Sequence, residues 1–214
     1  MVDKGEILPV KILYEGGMGE IVEKKSRFIA TIAPVETEEE AILFIESVKK
    51  KYWDARHNCT AFVIGDKNQL TRCSDDGEPS GTAGRPMLEV LLGQGITNVA
   101  VVVTRYFGGV LLGTGGLVRA YTKAVQEGIE NCKVATRIYG TQVEIITDYT
   151  GLGKVQYLLQ KEGIKEYNTE YTEEVCIHVF LSRSVKDKIL KEVVEVTAGR
   201  AKIEEIEEGF RLLC

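Results

Sequence analysis

The sequence predicts an α+β fold in two domains, residues 1–134 and 135–214. Three observations carry this. Segments of period two and of period 3.6 are mixed along the whole chain. The second part reads strand, helix, strand, strand, helix, strand, the order of the ferredoxin-like split βαβ arrangement. Glycine and arginine crowd into the first part only: residues 77–116 hold 10 of the 22 glycines, and residues 56–119 hold five of the ten arginines.

The first part opens with three expected strands, Ile7 to Tyr14, Gly19 to Lys24 and Arg27 to Pro34, around a turn at Gly16-Gly17. TEEEAILFIESVKKKY follows as a helix. Thr37 with Glu40 forms a capping-box pattern. Acids at the start and Lys49 to Lys51 at the end suit the helix dipole, and Ala41, Ile42, Ile45 and Val48 supply an apolar face. HNCTAFVIG is a strand, and CSDDGEPSGTAGRPMLEVLLGQG is a turn followed by a short helix. Pro86 suits its first position, and Gly93 or Gly95 its stop. NVAVVVTRYF is nearly all apolar, so it is expected to be buried on both faces. Thr114 then caps a helix with Leu117, Ala120, Tyr121, Ala124, Val125, Gly128 and Ile129 at core spacing. The second part runs TRIYGTQVEIIT, YTGLGKVQYLLQKEG, IKEYNTEY, EEVCIHVFLS, RSVKDKILKEVVEVTAG and RAKIEEIEEGFRLL.

Composition excludes several classes. No apolar run approaches the length of a membrane span, and the first residues carry no secretory leader pattern. Five scattered cysteines without a C-x-x-C pair point to a reducing, cytoplasmic setting. The net charge of −5 argues against a bulk basic nucleic-acid binder. Its distribution differs from the total: Val90 to Gln126 contains no carboxylate but holds Arg105, Arg119 and Lys123.

That window contains RYFGGVLLGTGGLVRAYTKAV. It is not a Walker loop, because Thr114 stands where the lysine belongs. It is not a dinucleotide loop, because Val118 breaks the glycine spacing. A helix N-terminus behind glycines still favours anions, so Gly108, Gly109, Gly113, Thr114, Gly115 and Gly116 with Arg119 and Lys123 form a candidate anion or nucleic-acid site. The plain alternative is a strand-to-helix corner. Arg56, Arg72, Arg85 and Arg105 are candidate anchors for phosphate, carboxylate or bases, or else partners of structural ion pairs with Asp75, Asp76 and Glu78. His57, Asp75, Asp76, Glu78 and Ser80 are candidate polar partners in the same cleft. The acids in SDDGE do not match a calcium loop, and Asp-Gly is an ordinary turn signal. His57, Cys59 and Cys73 lack zinc-ligand spacing, and no hydrolase or zincin motif is present. No metal, cofactor or catalytic residue is assigned.

Three stretches, KKSRFIA, ARHNCTAFVIG continuing to CSDDGEPSGTAGRPML, and VVVTRYFGGVLLGTGGLVRAYTKAV, strongly resemble the IMPACT family in its bacterial, YigZ-like branch. The resemblance covers essentially the whole chain. It implies a first domain of the ribosomal-protein type also seen in domain IV of elongation factor G. It implies a ferredoxin-like second domain similar to domain V of that factor. It also implies contact with RNA or the ribosome. Eukaryotic members regulate translation through a kinase pathway with an additional N-terminal RWD domain. Only a few residues here precede the first expected strand, so that role is not carried over. The leading expectation is a translation-linked binding protein using its Arg- and Gly-rich face. An enzyme or sensor for a small anionic ligand in that cleft, and a protein-interaction module, are the alternatives.

Overall fold

The computed structural model describes residues 9–213. The chain divides into two compact units, Val10–Thr136 and Arg137–Leu213. Both mix helix and sheet, as an α+β fold requires.

The N-terminal unit is built on an antiparallel sheet of β2 (Gly17–Glu23), β3 (Ser26–Pro34), β7 (Val99–Tyr106), β4 (His57–Ile64) and β5 (Leu70–Ser74), in that spatial order. A short parallel pair of β1 (Val10–Glu15) and β6 (Ile96–Thr97) stands apart from it. β1 therefore does not form a hairpin with β2, and Gly16-Gly17 is a crossing between strands rather than the expected turn. The hairpin lies instead at Lys24-Lys25, where both residues have positive φ, 46° and 65°. Lysine is not a left-handed former, which is why this turn left no signal in the sequence. The part of the first expected strand at Ile7 and Leu8 lies outside the described residues.

Helix α1 (Glu38–Lys51) covers one face of the sheet at Phe62, Ile64 and Ala100. Its Thr37 hydroxyl accepts from the Glu40 amide at 3.2 Å. The Glu40 carboxylate reaches back to the amide of Glu36, not Thr37, at 2.7 Å. Ala41, Phe44, Ile45 and Val48 face the sheet, whereas Ile42, expected on that face, is exposed.

Helices α2 (Gly84–Gln94) and α3 (Thr114–Glu130) cover the other face. Gly95 ends α2 in the left-handed conformation, while Pro86 occupies its third position rather than its first. Thr114 begins α3, and Gly113, with φ of 74°, is the N-cap. The α3 residues Leu117, Ala120, Tyr121, Ala124 and Val125 pack on Phe28, Ala30, Ile32, Cys59, Val101 and Val103. β7 is buried along both faces, as its apolar run predicts.

The C-terminal unit contains β8 (Lys133–Thr147, which begins in the first unit), α4 (Tyr149–Lys161), β9 (Glu166–Tyr171), β10 (Val175–Ser182), α5 (Lys186–Val196) and β11 (Lys202–Leu213). Its strands lie in the order β11-β8-β10-β9. Val143, Ile145, Val175, Ile177, Val179 and Leu181 alternate onto α4 and α5, whose Val155, Leu159, Ile189 and Val193 complete a separate core. Among the described residues no helix is long and apolar enough to cross a membrane.

Candidate functional site

Strand register builds the site. Val99, Val101 and Val103 point from β7 into the core under α2 and α3, and Arg105 is next on that face. It pairs with Phe28 on one side and His57 on the other, so an arginine ends a row otherwise made of apolar side chains. Its side chain is only 7% exposed.

A buried guanidinium requires compensation. Arg105 Nη1 donates to Glu78 Oε1 at 2.6 Å, and the glutamate side chain is 3% exposed. The Tyr121 hydroxyl donates to the same oxygen at 2.8 Å. The Cys59 thiol lies 3.3 Å from Tyr121 Oη and 3.0 Å from the Asp75 carbonyl. Burial above all pushes this thiol up to about 12, and burial likewise raises the Tyr121 phenol, so both keep their protons at neutral pH. The Arg105 guanidinium also lies over the rings of Phe28 and Phe107, at 5.4 and 5.5 Å. Its Nε is buried and has no hydrogen-bond partner among the described residues.

The turn before α2 holds Glu78 in place. Asp75 Oδ1 accepts from the amides of Ala83 and Gly84 at 3.0 and 2.8 Å, and Oδ2 from Gly81 at 2.8 Å. Asp75 thus caps α2 from eight residues before the N-cap position, where Ala83 supplies no side-chain bond. Burial opposes the charge of this carboxylate, but the three amides outweigh it and hold its pKa below the usual aspartate range. Asp76 accepts from the Asn58 amide at 2.7 Å and from Lys49 Nζ at 3.0 Å. Its carbonyl lies 2.9 Å from His57 Nδ1. A carbonyl only accepts, so His57 Nδ1 is the donor in this contact.

A pocket of about 410 Å³ opens beside this network, lined by Arg56, His57, Glu78, Pro79, Arg105, Phe107, Leu111, Leu112, Gly113, Thr114 and Leu117. A second, of about 220 Å³, is lined by Ile21, Glu23, Lys24, Leu112, Gly116, Arg119, Ala120 and Lys123. Leu112 is common to both, so the pockets flank the loop between β7 and α3. Lys24, Arg119 and Lys123 form no ion pair among the described residues, and Glu23 is the one acid beside them in that pocket.

The sequence-predicted residues thus separate into groups. Arg56, His57, Glu78, Arg105, Gly113 and Thr114 share the larger pocket. Gly116, Arg119 and Lys123 share the smaller. The five arginines do not converge: Arg72 pairs with Glu38 at 2.6 Å, and Arg85 with Glu89 along α2 at 3.1 Å. Asp75 and Asp76 are used by the backbone of the N-terminal unit, and Ser80 is exposed outside both pockets. Gly108 lies against the hairpin, where a Cβ would come 2.0 Å from the Lys25 carbonyl carbon. Its amide donates to Ser26 Oγ at 3.1 Å. Gly109 has φ of 83°, and Gly115 approaches Arg119. Sequence reasoning missed Lys24, Phe107, Tyr121 and the apolar walls. An arginine two positions beyond Val103 on a core-facing strand row was the available signal for a buried polar partner.

Known proteins share this arrangement in sequence. The Impact N-terminal domain matches residues 24–129, and a domain of unknown function, DUF1949, matches residues 145–200. The chain is 42% identical to IMPACT family member YvyE of Bacillus subtilis, over 89% of this chain and 88% of that protein. It is 38% identical to IMPACT family member YigZ of Escherichia coli, over 86% and 92%. A solved crystal structure of a hypothetical protein matches with a TM-score of 0.60 and 35% identity, over 95% of this chain and all of that one. Protein IMPACT of mouse is 37% identical over 44% of this chain and 30% of its own length. Two domain matches in sequence order and full-length relatives at this identity place the chain in the IMPACT family.

Proposed function

We propose that this protein is a cytoplasmic, translation-linked RNA-binding protein, and that it holds RNA phosphates with Lys24, Arg119 and Lys123. The carrying observation is that these three cations share one pocket and form no ion pair among the described residues, in a chain of net charge −5. Arg119 and Lys123 are one helical turn apart on α3, and the hairpin brings Lys24 to them from β2. Cations without an ion pair among the described residues can take phosphate without first breaking one. The left-handed backbone of Lys24-Lys25 supports the same reading. Each non-glycine residue there costs about 1 kcal/mol, and Asn-Gly would make such a turn at less cost. Lysine side chains are retained at the expense of local strain, which fits a binding role.

The resemblance to elongation factor G domains IV and V, with a ferredoxin-like C-terminal unit, agrees with work at the ribosome. The βαββαβ element order and the β11-β8-β10-β9 strand order support that likeness. The test is fluorescence anisotropy with short single-stranded RNA at low salt. Wild type should bind, and an Arg119→Ala/Lys123→Ala variant, whose side chains are exposed, should fold normally and bind weakly. Equal affinity in the two proteins, or no binding by wild type at low salt, sinks the proposal.

A further inference from the structure

Strand register gathers several side chains at one end of the N-terminal sheet. Glu23 pairs with Ser26 across the Lys24-Lys25 hairpin, Arg27 with Tyr106, and Arg105 with His57. The ends of β2, β3, β7 and β4 therefore lie side by side, and three inter-strand gaps span roughly 14 Å. Trp53, just past α1, and Phe107, just past β7, are drawn to this end. The Tyr106 hydroxyl donates to Asp54 at 2.8 Å, and each of these two residues is the chain neighbour of one ring. A groove of about 230 Å³ lies there, lined by Asp54, Arg56, Arg105, Tyr106 and Phe107.

We infer that Trp53 and Phe107 form a stacking platform for the unpaired bases of single-stranded RNA. The inference rests on the RNA reading above and names its substrate class. The two sites are continuous: Gly108, the neighbour of Phe107, packs against Lys25, the neighbour of Lys24. A strand held by its phosphates at Lys24 passes the hairpin and lays its bases on the rings.

Exposure is the first argument. Trp53 is the only tryptophan of the chain and is 82% exposed, and Phe107 is 49% exposed. Tryptophan is highly buried on average, and a ring left in water adds nothing to the core. Every base has a π-face, so stacking on an aromatic side chain contributes whatever the sequence. A duplex hides those faces, so the platform selects single strands.

Charge identifies the occupant. Lys51 precedes Trp53 by two residues, Arg56 shares the groove with Phe107, and Lys25 stands beside Gly108. None of these three cations forms an ion pair among the described residues. The acids at this end are already engaged, Asp54 by Tyr106, Glu78 by Arg105 and Glu20 by Arg27. Rings interleaved with available cations fit a polyanion that carries π-faces. Lysine is depleted in protein–protein interfaces, which disfavours a protein on this strip.

Because Trp53 is the sole tryptophan, its emission reports on the platform directly. At low salt an unstructured oligoribonucleotide should quench it saturably, and the same strand annealed to its complement should not. In anisotropy with labelled RNA, Trp53→Ala and Phe107→Ala should each bind the single strand about ten-fold more weakly, the size of one base stacked on one ring, with duplex affinity unchanged. Both rings lie outside the core, so both variants should fold. Quenching that persists in Arg119→Ala/Lys123→Ala at unchanged affinity would keep the platform and remove the phosphate site. RNA binding lost in that variant, with constant Trp53 emission and wild-type affinity in both aromatic variants, would overturn the platform and leave the phosphate reading standing. Emission that shifts with protein concentration alone, without response to RNA, would assign the strip to a second copy of this chain and also overturn it.

Discussion

Arg105 occupies a core-facing position and is therefore bound to Glu78 before it is available to anything else. Removing one member of such a pair strands the other charge in the interior. Arg105→Ala is expected to lose about 3–5 kcal/mol of stability in urea unfolding, with little change in the denaturant slope. Arginine loss here would thus be read as lost binding unless stability were measured alongside. Asp75 permits a pH prediction. Its folded pKa lies below its unfolded value, so its contribution is complete above the ordinary aspartate pKa of about 3.9 and disappears as pH falls through the lower, folded value. Asp75→Asn should lower the melting temperature at neutral pH and flatten its fall between about pH 4 and pH 2. An acid limb identical to wild type would show that Asp75 does not carry this dependence. Its carboxylate was visible in the sequence, but its use was not, because the amides it caps begin six residues later.

At the scale of elements, glycines decide how closely α3 and the loop before it approach the sheet. A Cβ on Gly19 of β2 would come 2.4 Å from the Gly128 amide nitrogen of α3. Gly19→Ala must therefore lift the helix or bend the strand, and overpacking of this kind costs about 1–3 kcal/mol. The same displacement separates Lys24 from Arg119 and Lys123, so RNA affinity should fall with stability. A stable Gly19→Ala protein with unchanged affinity would show that the helix-to-strand spacing does not matter for binding. Gly108 ties the loop to the Lys24-Lys25 hairpin by the same kind of contact. The glycine-rich run is legible as a corner. That Gly108 packs against the hairpin rather than against an anion depends on a strand more than 80 residues earlier in the chain. The hairpin itself escaped notice because two lysines gave no turn chemistry, whereas Gly16-Gly17 gave a turn signal at a place where the chain only changes strand partners.

For the whole molecule, charge is the informative quantity. A net charge of −5 opposes RNA binding at long range, so any binding must come from a local group of cations at short distance. Three phosphate contacts on single-stranded RNA predict a log–log salt slope of about −2, and loss of two of them in Arg119→Ala/Lys123→Ala predicts about −0.7. A slope near zero in wild type would mean that phosphate is not what the pocket holds. The C-terminal unit has its own core, and residues 134–214 are net negative, 11 basic against 14 acidic. The three cations of the proposed phosphate site all belong to the N-terminal unit.

Local periodicity and end chemistry were sufficient to specify most helices and strands, because these depend on residues within a few positions of one another. The capped helix α1, the doubly buried β7, the core face of α3 and the βαββαβ order of the second part were all legible in this way. The carboxylate-free window from Val90 to Gln126 also marked the region that carries Arg119 and Lys123, which form no ion pair among the described residues. Only the tertiary structure decided which arginines are spent on ion pairs and which groups share a pocket. That depends on register: β3 and β4 set Phe28 and His57 on either side of Arg105, and α3 and the turn before α2 bring Tyr121 and Glu78 to it. These partners are separated by tens of residues in the chain, and no local pattern encodes a contact of that range.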